Sequence, residues 1–459
     1  MRFLPPEAEV ILYETAFEDD ILDRQKVSKS LSALLDRIED PMVIALDGRW
    51  GTGKSYFLKR WVGAHRKQND GKALTLYFDA FASDYNSDPL IALVAALSER
   101  IPAKDRPKLQ HLKSLAYKFI KPLAKIGLNV ATLGAKDAVN DLGDAVVDVI
   151  SGEAQATVDE FWRREEGRQK AMQAFRDSLE ELVVGEDGTD STPLVIVVDE
   201  LDRCRPDYAL EVLEIIKHFF AVPMVHFVLG INLRAMENSV KARYGQEIDA
   251  TAYLQKFISL IVTLPDEVGH PADRKPVALA YARHAAMAMK LPHAYVQEIV
   301  EYQLPIVARR NTVSIRDVGK ILGAVAVLPS EALNRNLLVG WKILIASLIV
   351  ARVVRKDIYD RLVAAELSDK DLVDYLDATP SRISQTLADG GYNPHHDHFT
   401  MSRYDILSTI ISGGAGDRES IRNMFSTFGD LRGMDKFPRT AVDRYLSTFE
   451  FPLDRTAEA

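Results

Sequence analysis

A single cysteine, Cys204, stands among 459 residues, which excludes an internal disulfide framework and any zinc or iron–sulfur site built on several thiolates. Long uninterrupted apolar runs are missing as well. The most apolar helix candidate, Leu337–Val354, is cut by Lys342 and Arg352, short of the about 20 residues a membrane span needs. A second candidate, Leu115–Ile150, carries Lys118, Lys121, Lys125, Lys136, Asp137, Asp141, Asp144 and Asp148, and its longest uncharged stretch, Ile126–Ala135, is too short to cross. The N-terminal MRFLPPEAEVILYETAFEDD lacks a signal peptide's order of charge followed by an apolar run. Charge of one sign is in only mild excess, and the net −9 gives no global pull toward nucleic acid. Internal repeats and low-complexity tracts are absent. With 47% hydrophobic and 27% charged residues, wholesale disorder is excluded. The expectation is a reduced, cytoplasmic, globular chain without a membrane span.

What is present is an alternation. Apolar positions at helical spacing predict an amphipathic helix over Asp20–Glu39, stopped by Pro41. Short apolar runs follow at Met42–Leu46, Ala73–Phe78, Leu194–Val198, His226–Ile231 and Ile258–Leu264, separated by helical stretches. That pattern predicts an α/β fold, a parallel sheet with crossover helices. Most runs are continuous rather than alternating, as in strands buried on both faces. A helical insertion at about 90–185 separates the second and third runs and ends in the turn-rich GEDGTDSTP. After Pro265 the chain reads as helical to its end, with breaks near Gly269–Pro271, Pro305, Pro329–Ser330, Gly390–Pro394 and Gly413–Gly416.

The first apolar run leads into GRWGTGKS, which fits G-x-x-x-x-G-K-[ST] in the strand–loop–helix context that the motif requires. Glycine at 48, 51 and 53 lets backbone N–H groups curl around a β-phosphate. Lys54 brings positive charge to the β- and γ-phosphates, and the Ser55 hydroxyl suits Mg²⁺. A helix beginning at Ser55 aims its dipole at the same anion. The nucleotide-binding set is therefore Gly48, Arg49, Trp50, Gly51, Thr52, Gly53, Lys54, Ser55 and Tyr56. The third run, PLVIVVDELDRCRP, delivers Asp199 and Glu200 at a strand's C-terminal end, where open α/β sheets bind ligands. Asp199 is the candidate for the Mg²⁺ shell and Glu200 for the base that activates water. Asp202 either orients Arg203 or caps the next helix.

Together LDGRWGTGKS, VDELDRCRPD and YLQKFISLIVTLP resemble the KAP family of P-loop NTPases over roughly residues 20–330. The resemblance rests on Trp50-Gly51 in the loop, the run Glu200–Pro206, and a lysine-to-proline block at Lys256–Pro265. It implies a RecA-like core with an additional strand, strand order 5-1-4-3-2, ATP and Mg²⁺ as ligands, and Walker A and Walker B roles for the two motifs. Many family members carry transmembrane helices between those motifs, where this chain has charged residues. Many also have Asp at the position of Glu200, and glutamate is the residue of vigorous hydrolysers. Soluble bacterial members resemble components of phage-defence systems, the Qat type among them.

The remaining polar signals leave alternatives open. Asn232 sits at the polar sensor position beside the γ-phosphate or caps the helix LRAMENSVKARYG. Arg316, in the lid-like RRNTVSIRDVGKIL, is a nucleotide-sensing arginine or a solvated one. Arg203 and Arg205 are candidate arginine fingers, with Arg205 favoured as structural. Asp79 leans to a helix cap over a metal-shell role. Cys204, beside two arginines, reads as a packed small residue over a reactive thiol. The cluster His395, His396, Asp397 and His398 reads as polar surface loop, not a metal site. No NKxD-type guanine selector occurs, so ATP is favoured over GTP. Aromatics at Phe161, Trp162, Phe175, Phe219 and Phe220 read as helix core stripes.

The expected organisation is an N-terminal arm and helix at 1–40 and an NTPase core at 41–268. A helical lid follows at 269–330 and a C-terminal helical domain at 331–459. The expected function is Mg²⁺-dependent ATP hydrolysis, with the nucleotide state passed to a protein partner from the same operon or to another copy of the chain. A slowly hydrolysing ATP-gated scaffold and a nucleic-acid translocase are the alternatives; neither charge nor helicase motifs support the latter.

Overall fold

The structure, a computed structural model, describes residues 1–5, 10–69, 74–85, 88–100, 106–117, 158–183, 193–270, 274–377, 394–411, 419–426 and 433–447. Its centre is a parallel sheet of β1 (Met42–Asp47), β2 (Leu74–Asp79), β3 (Leu194–Asp199), β4 (Val225–Ile231) and β5 (Leu260–Thr263), in the order β2-β3-β4-β1-β5. Read from the other edge this is the expected 5-1-4-3-2. Every residue of β3 and β4 is buried, as mostly apolar strands covered on both faces are. β5 departs from that expectation. It lies at the sheet edge, and Leu260 and Ile261 are 39% and 52% exposed. An edge strand has a neighbour on one side only, which composition does not reveal.

Register builds the functional edge. Asp79 pairs with Asp199, Asp199 with Gly230, and Asp47 with Ile231, so three strands end on aspartate in one row. On one face α1 (Gln25–Leu35) and α2 (Lys54–Gln68) pack Leu31, Leu35, Phe57 and Trp61 against Ile44, Leu46, Val195 and Val197. The first of these helices is shorter at both ends than its apolar pattern suggested. On the other face lie α3 (Pro89–Arg100), α4 (Arg106–Tyr117), α5 (Val158–Val183), α6 (Pro206–Phe219) and α7 (Leu233–Tyr244). The insertion is helical where described. Phe175, Phe220 and Phe227 stack edge to face there, as core aromatics do; the side chains of Phe161, Trp162 and Phe219 lie outside the described residues. So do most of Leu115–Ile150, all of the GEDGTDSTP loop but its final Pro193, and most of the glycine-rich breaks near 390 and 413.

Beyond β5 a two-stranded antiparallel pair, β6 (Glu267–Val268) and β7 (Lys275–Pro276), interrupts what reads as helix. The rest is helical, with α8 (Val277–Met289), α9 (Ile315–Ala326), α10 (Val339–Val354), α11 (Lys356–Val363), α12 (Asp369–Leu376) and α13 (Pro394–Ile411) as its longer α-helices. One continuous core, from Ala278 to Leu446, runs through both the expected lid and the expected C-terminal domain. α10 is its buried axis, and among the described residues no helix is long and apolar enough to cross a membrane. Pro305 does not break its helix. Residues 293–307 run on without interruption, and the segment Gln297–Gln303 before the proline widens into a π turn. His395, His396 and His398 fall within α13, not a loop; their side chains lie outside the described set.

Candidate nucleotide site

The loop after β1 is held from several sides. Gly51 and Gly53 both have φ of +86°, a conformation costly for any residue with a Cβ. At Gly51 the space is also closed, since a Cβ would stand 2.7 Å from the Arg316 Cβ. The amide of Gly48 donates to the Ile231 carbonyl at 3.2 Å, and buried Arg24 donates through Nη2 to the Thr52 carbonyl at 3.0 Å. Thr52 Oγ1 donates to the Arg49 carbonyl at 2.9 Å, and Arg49 Nη1 reaches Thr312 Oγ1 at 3.0 Å, tying the loop to the segment that leads into α9. Helix α2 begins at Lys54, one residue earlier than expected, with Gly53 as a left-handed N-cap. Its Tyr56 hydroxyl accepts from Arg60 at 2.6 Å.

Lys54 Nζ donates to the carbonyl of Gly48 and, at 3.3 Å, to that of Arg49. Burial pushes its pKa down, against the pull of Asp202, Asp199 and Asp47. Asp199 is almost wholly buried, at 1% exposure. Desolvation raises its pKa, while the Tyr77 hydroxyl at 2.7 Å, Ser55, and the Glu200 amide at 2.9 Å favour the ionised form. A desolvated carboxylate beside a serine hydroxyl is a hard, all-oxygen donor set, and Ser55 and Asp199 therefore fit Mg²⁺. Glu200 sits in the left-handed region at φ +60°, strain of about 1–3 kcal/mol for a non-glycine residue. Its Oε1 lies 3.4 Å from Ser55 Oγ and 2.9 Å from Arg203 Nη1. Burial raises the Glu200 pKa and Arg203 opposes the rise.

These groups share one cavity of about 620 Å³ lined by Trp50, Gly51, Gly53, Lys54, Ser55, Tyr56, Asp199, Glu200 and Arg203. Arg316 lines it too, from the first turn of α9, whose Ser314–Asp317 capping box fixes the helix start beside the loop. Asn232 is not brought in. It stands beyond β4, outside the cavity lining, and its side chain makes no cap bond. The cap is Asp47, whose Oδ1 accepts from the Leu233 amide at 2.9 Å. Asp202 performs neither expected task, because its Oδ2 accepts from the Trp50 indole at 2.6 Å and so latches the loop to the segment after β3. Arg203 is oriented by Glu200 instead. Arg205 is structural, with three hydrogen bonds to Asp84. Asp79 caps the short helix after β2 through the Ala82 amide at 2.9 Å. Cys204 is no activated thiol: burial pushes it up to about 12. Among the described residues no cluster of His, Cys, Asp and Glu could hold a metal of its own.

Sequence reasoning missed Tyr77, Asp47 and Phe3–Pro5, the last of which also lines the cavity. The signal for Tyr77 was its hydroxyl in the largely apolar strand LTLYFD, one strand away from the aspartate it serves.

No curated protein matches the chain. Among solved structures, Cdc6p from Pyrobaculum aerophilum is similar at 11% identity and TM-score 0.39, over 95% of this chain and 97% of that one. The ORC2 protein from Aeropyrum pernix, in its ADPNP–ADP complexes, is similar at 14% identity and TM-score 0.36, over 81% and 74%. At such values neither says what this chain does. The KAP family P-loop domain matches residues 24–275, more than half of the chain, and the protein belongs to this family of P-loop NTPases.

Proposed function

We propose that the protein hydrolyses ATP with Mg²⁺ and passes its nucleotide state through the helical region to a protein partner. One observation carries the reading: Lys54, Ser55, Asp199 and Glu200 converge on a single cavity at the C-terminal ends of parallel strands. Ser55 and Asp199 would hold the ion, which when bound supplies positive charge across the β- and γ-phosphates. Lys54 would exchange its loop carbonyls for phosphate oxygens. Glu200 would accept a proton from the water whose oxygen attacks the γ-phosphorus, as the bond to the β–γ bridging oxygen breaks and ADP leaves with its electron pair. Arg316, beside Gly51, would read the γ-phosphate, a role its position in the cavity lining supports; Asn232 would need to move to do so.

Transmission is supported by the Arg49–Thr312 bond and by the packing of α9 on Gly51, because α9 belongs to the core that continues to residue 446. The partner is a protein encoded nearby or a second copy of the chain, the compartment the cytoplasm, and the setting bacterial antiviral defence of the Qat-like kind, which rests on family resemblance. A specific contact favours the slowly hydrolysing scaffold as second reading: Glu200 is already engaged by Arg203. Phosphate release by wild type, Lys54→Ala and Glu200→Gln separates them. We expect Lys54→Ala to abolish nucleotide binding and Glu200→Gln to bind but not turn over. A wild type no faster than Glu200→Gln would leave the scaffold standing.

A further inference from the structure

The sheet has two outer strands, and the chain treats them differently. At β2 the outward backbone groups are taken by side chains: the Tyr77 amide donates to the Tyr13 hydroxyl at 3.0 Å, and Arg100 Nε donates to the Thr75 carbonyl at 3.2 Å. Tyr13 reaches that place with φ of +71°, and the Arg100 guanidinium lies 3.6 Å from the centre of its ring. Among the described residues no bond of this kind reaches the outer side of β5. We propose that this side of β5 is a self-association surface, on which β5 of a second copy of the chain pairs antiparallel and continues the sheet across a two-fold axis. The proposal rests on the preceding reading only in taking its partner to be the second copy, and it needs no nucleotide.

Register shows which groups β5 offers. The Gly48 amide donates to the Ile231 carbonyl of β4, so the even-numbered residues of β1 turn their backbone groups toward β4 and the odd-numbered ones toward β5. The Val43 carbonyl, which accepts from the Ser259 amide at 2.8 Å, obeys that alternation. Ala45 stands level with Ile261 and therefore bonds the residues on either side, Leu260 and Val262. Ile261 and Thr263 are left with N–H and C=O groups that point away from the sheet. In an antiparallel pair Ile261 of one copy opposes Thr263 of the other, and each such pair exchanges both of its bonds. Leu260 and Ile261, 39% and 52% exposed, lie on opposite faces, so the strand also offers apolar surface above and below the bonds.

The flanks of the strand select the occupant. Lys256 precedes β5, Asp266 and Glu267 follow it, and all three are exposed. An antiparallel copy sets Lys256 of each chain against the acidic pair of the other, so the segment complements itself as a two-fold contact must. In the same register Val262 falls opposite its own copy at the axis and Leu260 opposite Leu264, which matches aliphatic groups on the face that carries α1 and α2. Four residues bury too little alone, since a stable interface needs about 1,200 Å² or more. The aromatic cluster that leads into the strand widens the surface. Tyr244, 49% exposed, contacts Tyr253, which contacts Phe257, with ring centres 5.2 and 5.3 Å apart.

The test is sedimentation equilibrium of the full chain without nucleotide, over a concentration series. Thr263→Pro deletes only an outward N–H, a change that an outer strand tolerates, and should weaken the dimer about 10-fold or more because symmetry removes two bonds. Lys256→Glu sets like charges together and should weaken it about 5-fold; adding Asp266→Lys and Glu267→Lys should restore it. The charge variants touch no backbone bond, so they decide the matter even if the proline variant unfolds. A wild type that stays monomeric up to about 100 µM overturns the proposal, whether another protein then covers the strand or nothing does. Unchanged association of folded Thr263→Pro overturns it by placing the contact elsewhere, and failure of the reversed charges to rescue overturns the antiparallel pairing. ATP turnover on the same samples stands apart. A dimer through β5 that does not hydrolyse ATP fails the nucleotide reading alone, and a monomer that hydrolyses it fails this proposal alone.

Discussion

The C-terminal end of the sheet and the helical core behind it both bury charge, and they do it in opposite ways. In the helical core Glu298 and Arg403, 7% and 4% exposed, face each other. Arg403 donates through Nε at 3.0 Å and through Nη2, and Gln303 adds a bond at 2.8 Å while reaching Ser347 Oγ at 3.1 Å. The π turn makes this geometry, since it brings residues 298 and 303, five apart, onto one side where an α-helix would separate them. At the C-terminal end of the sheet Asp199 is buried with no cation in contact among the described residues, Glu200 is strained, and three of the five strands end on aspartate. One region has closed its electrostatics within the chain. The other keeps a negative excess beside a positively charged loop, and that imbalance suits a ligand carrying both phosphates and a divalent ion.

The comparison is broken most directly from the closed side. Glu298→Ala leaves Arg403 buried without its partner and should cost about 3–5 kcal/mol of unfolding free energy. Replacing both partners, Glu298→Met with Arg403→Leu, should recover most of that. Denaturant titration decides, and a loss below about 1 kcal/mol for Glu298→Ala would mean that the pair does not hold the helical core. A smaller effect is expected from the open side. Tyr77→Phe removes the hydroxyl that favours ionised Asp199 and should cost about 1–3 kcal/mol. It should also raise the Mg²⁺ concentration for half-maximal turnover by about 10- to 100-fold, as loss of a group orienting a ligand does. An unchanged Mg²⁺ requirement would show that Asp199 needs no such support.

Sequence made the open side legible and hid the closed one. GRWGTGKS and VVDELDRC are local strings, and the continuous apolar runs that carry them fix a parallel sheet between helices. Tyr77 was not legible because its partner, Asp199, is set by the register of two strands separated by the whole insertion. Asp47 hid for the same reason: an aspartate before a glycine-rich loop looks like part of the loop, not like the cap of a helix after β4. The exposure of β5 depends on its being last in the sheet order. The Glu298–Arg403 pair joins residues more than a hundred apart, and the π turn that aims Glu298 has no local signature beyond the proline that follows.

The finest test of the open side is Arg203→Gln. Burial lifts the Glu200 pKa, and the guanidinium at 2.9 Å holds it down. Removing that charge lets the pKa rise further, so the carboxylate stays protonated to a higher pH and cannot take a proton from water. The acid limb of the pH–rate profile should move to higher pH, with the alkaline plateau unchanged. With Arg203 34% exposed, solvent screening limits the pair to about 1 kcal/mol, hence a factor of about five at most on the acid side. Direction is what discriminates. A guanidinium that keeps Glu200 ionised gives an upward shift alone, whereas one that restrains Glu200 from its substrate would, once removed, raise the plateau. A raised plateau would transfer Arg203 from support of catalysis to its restraint, and the protein from hydrolase toward switch.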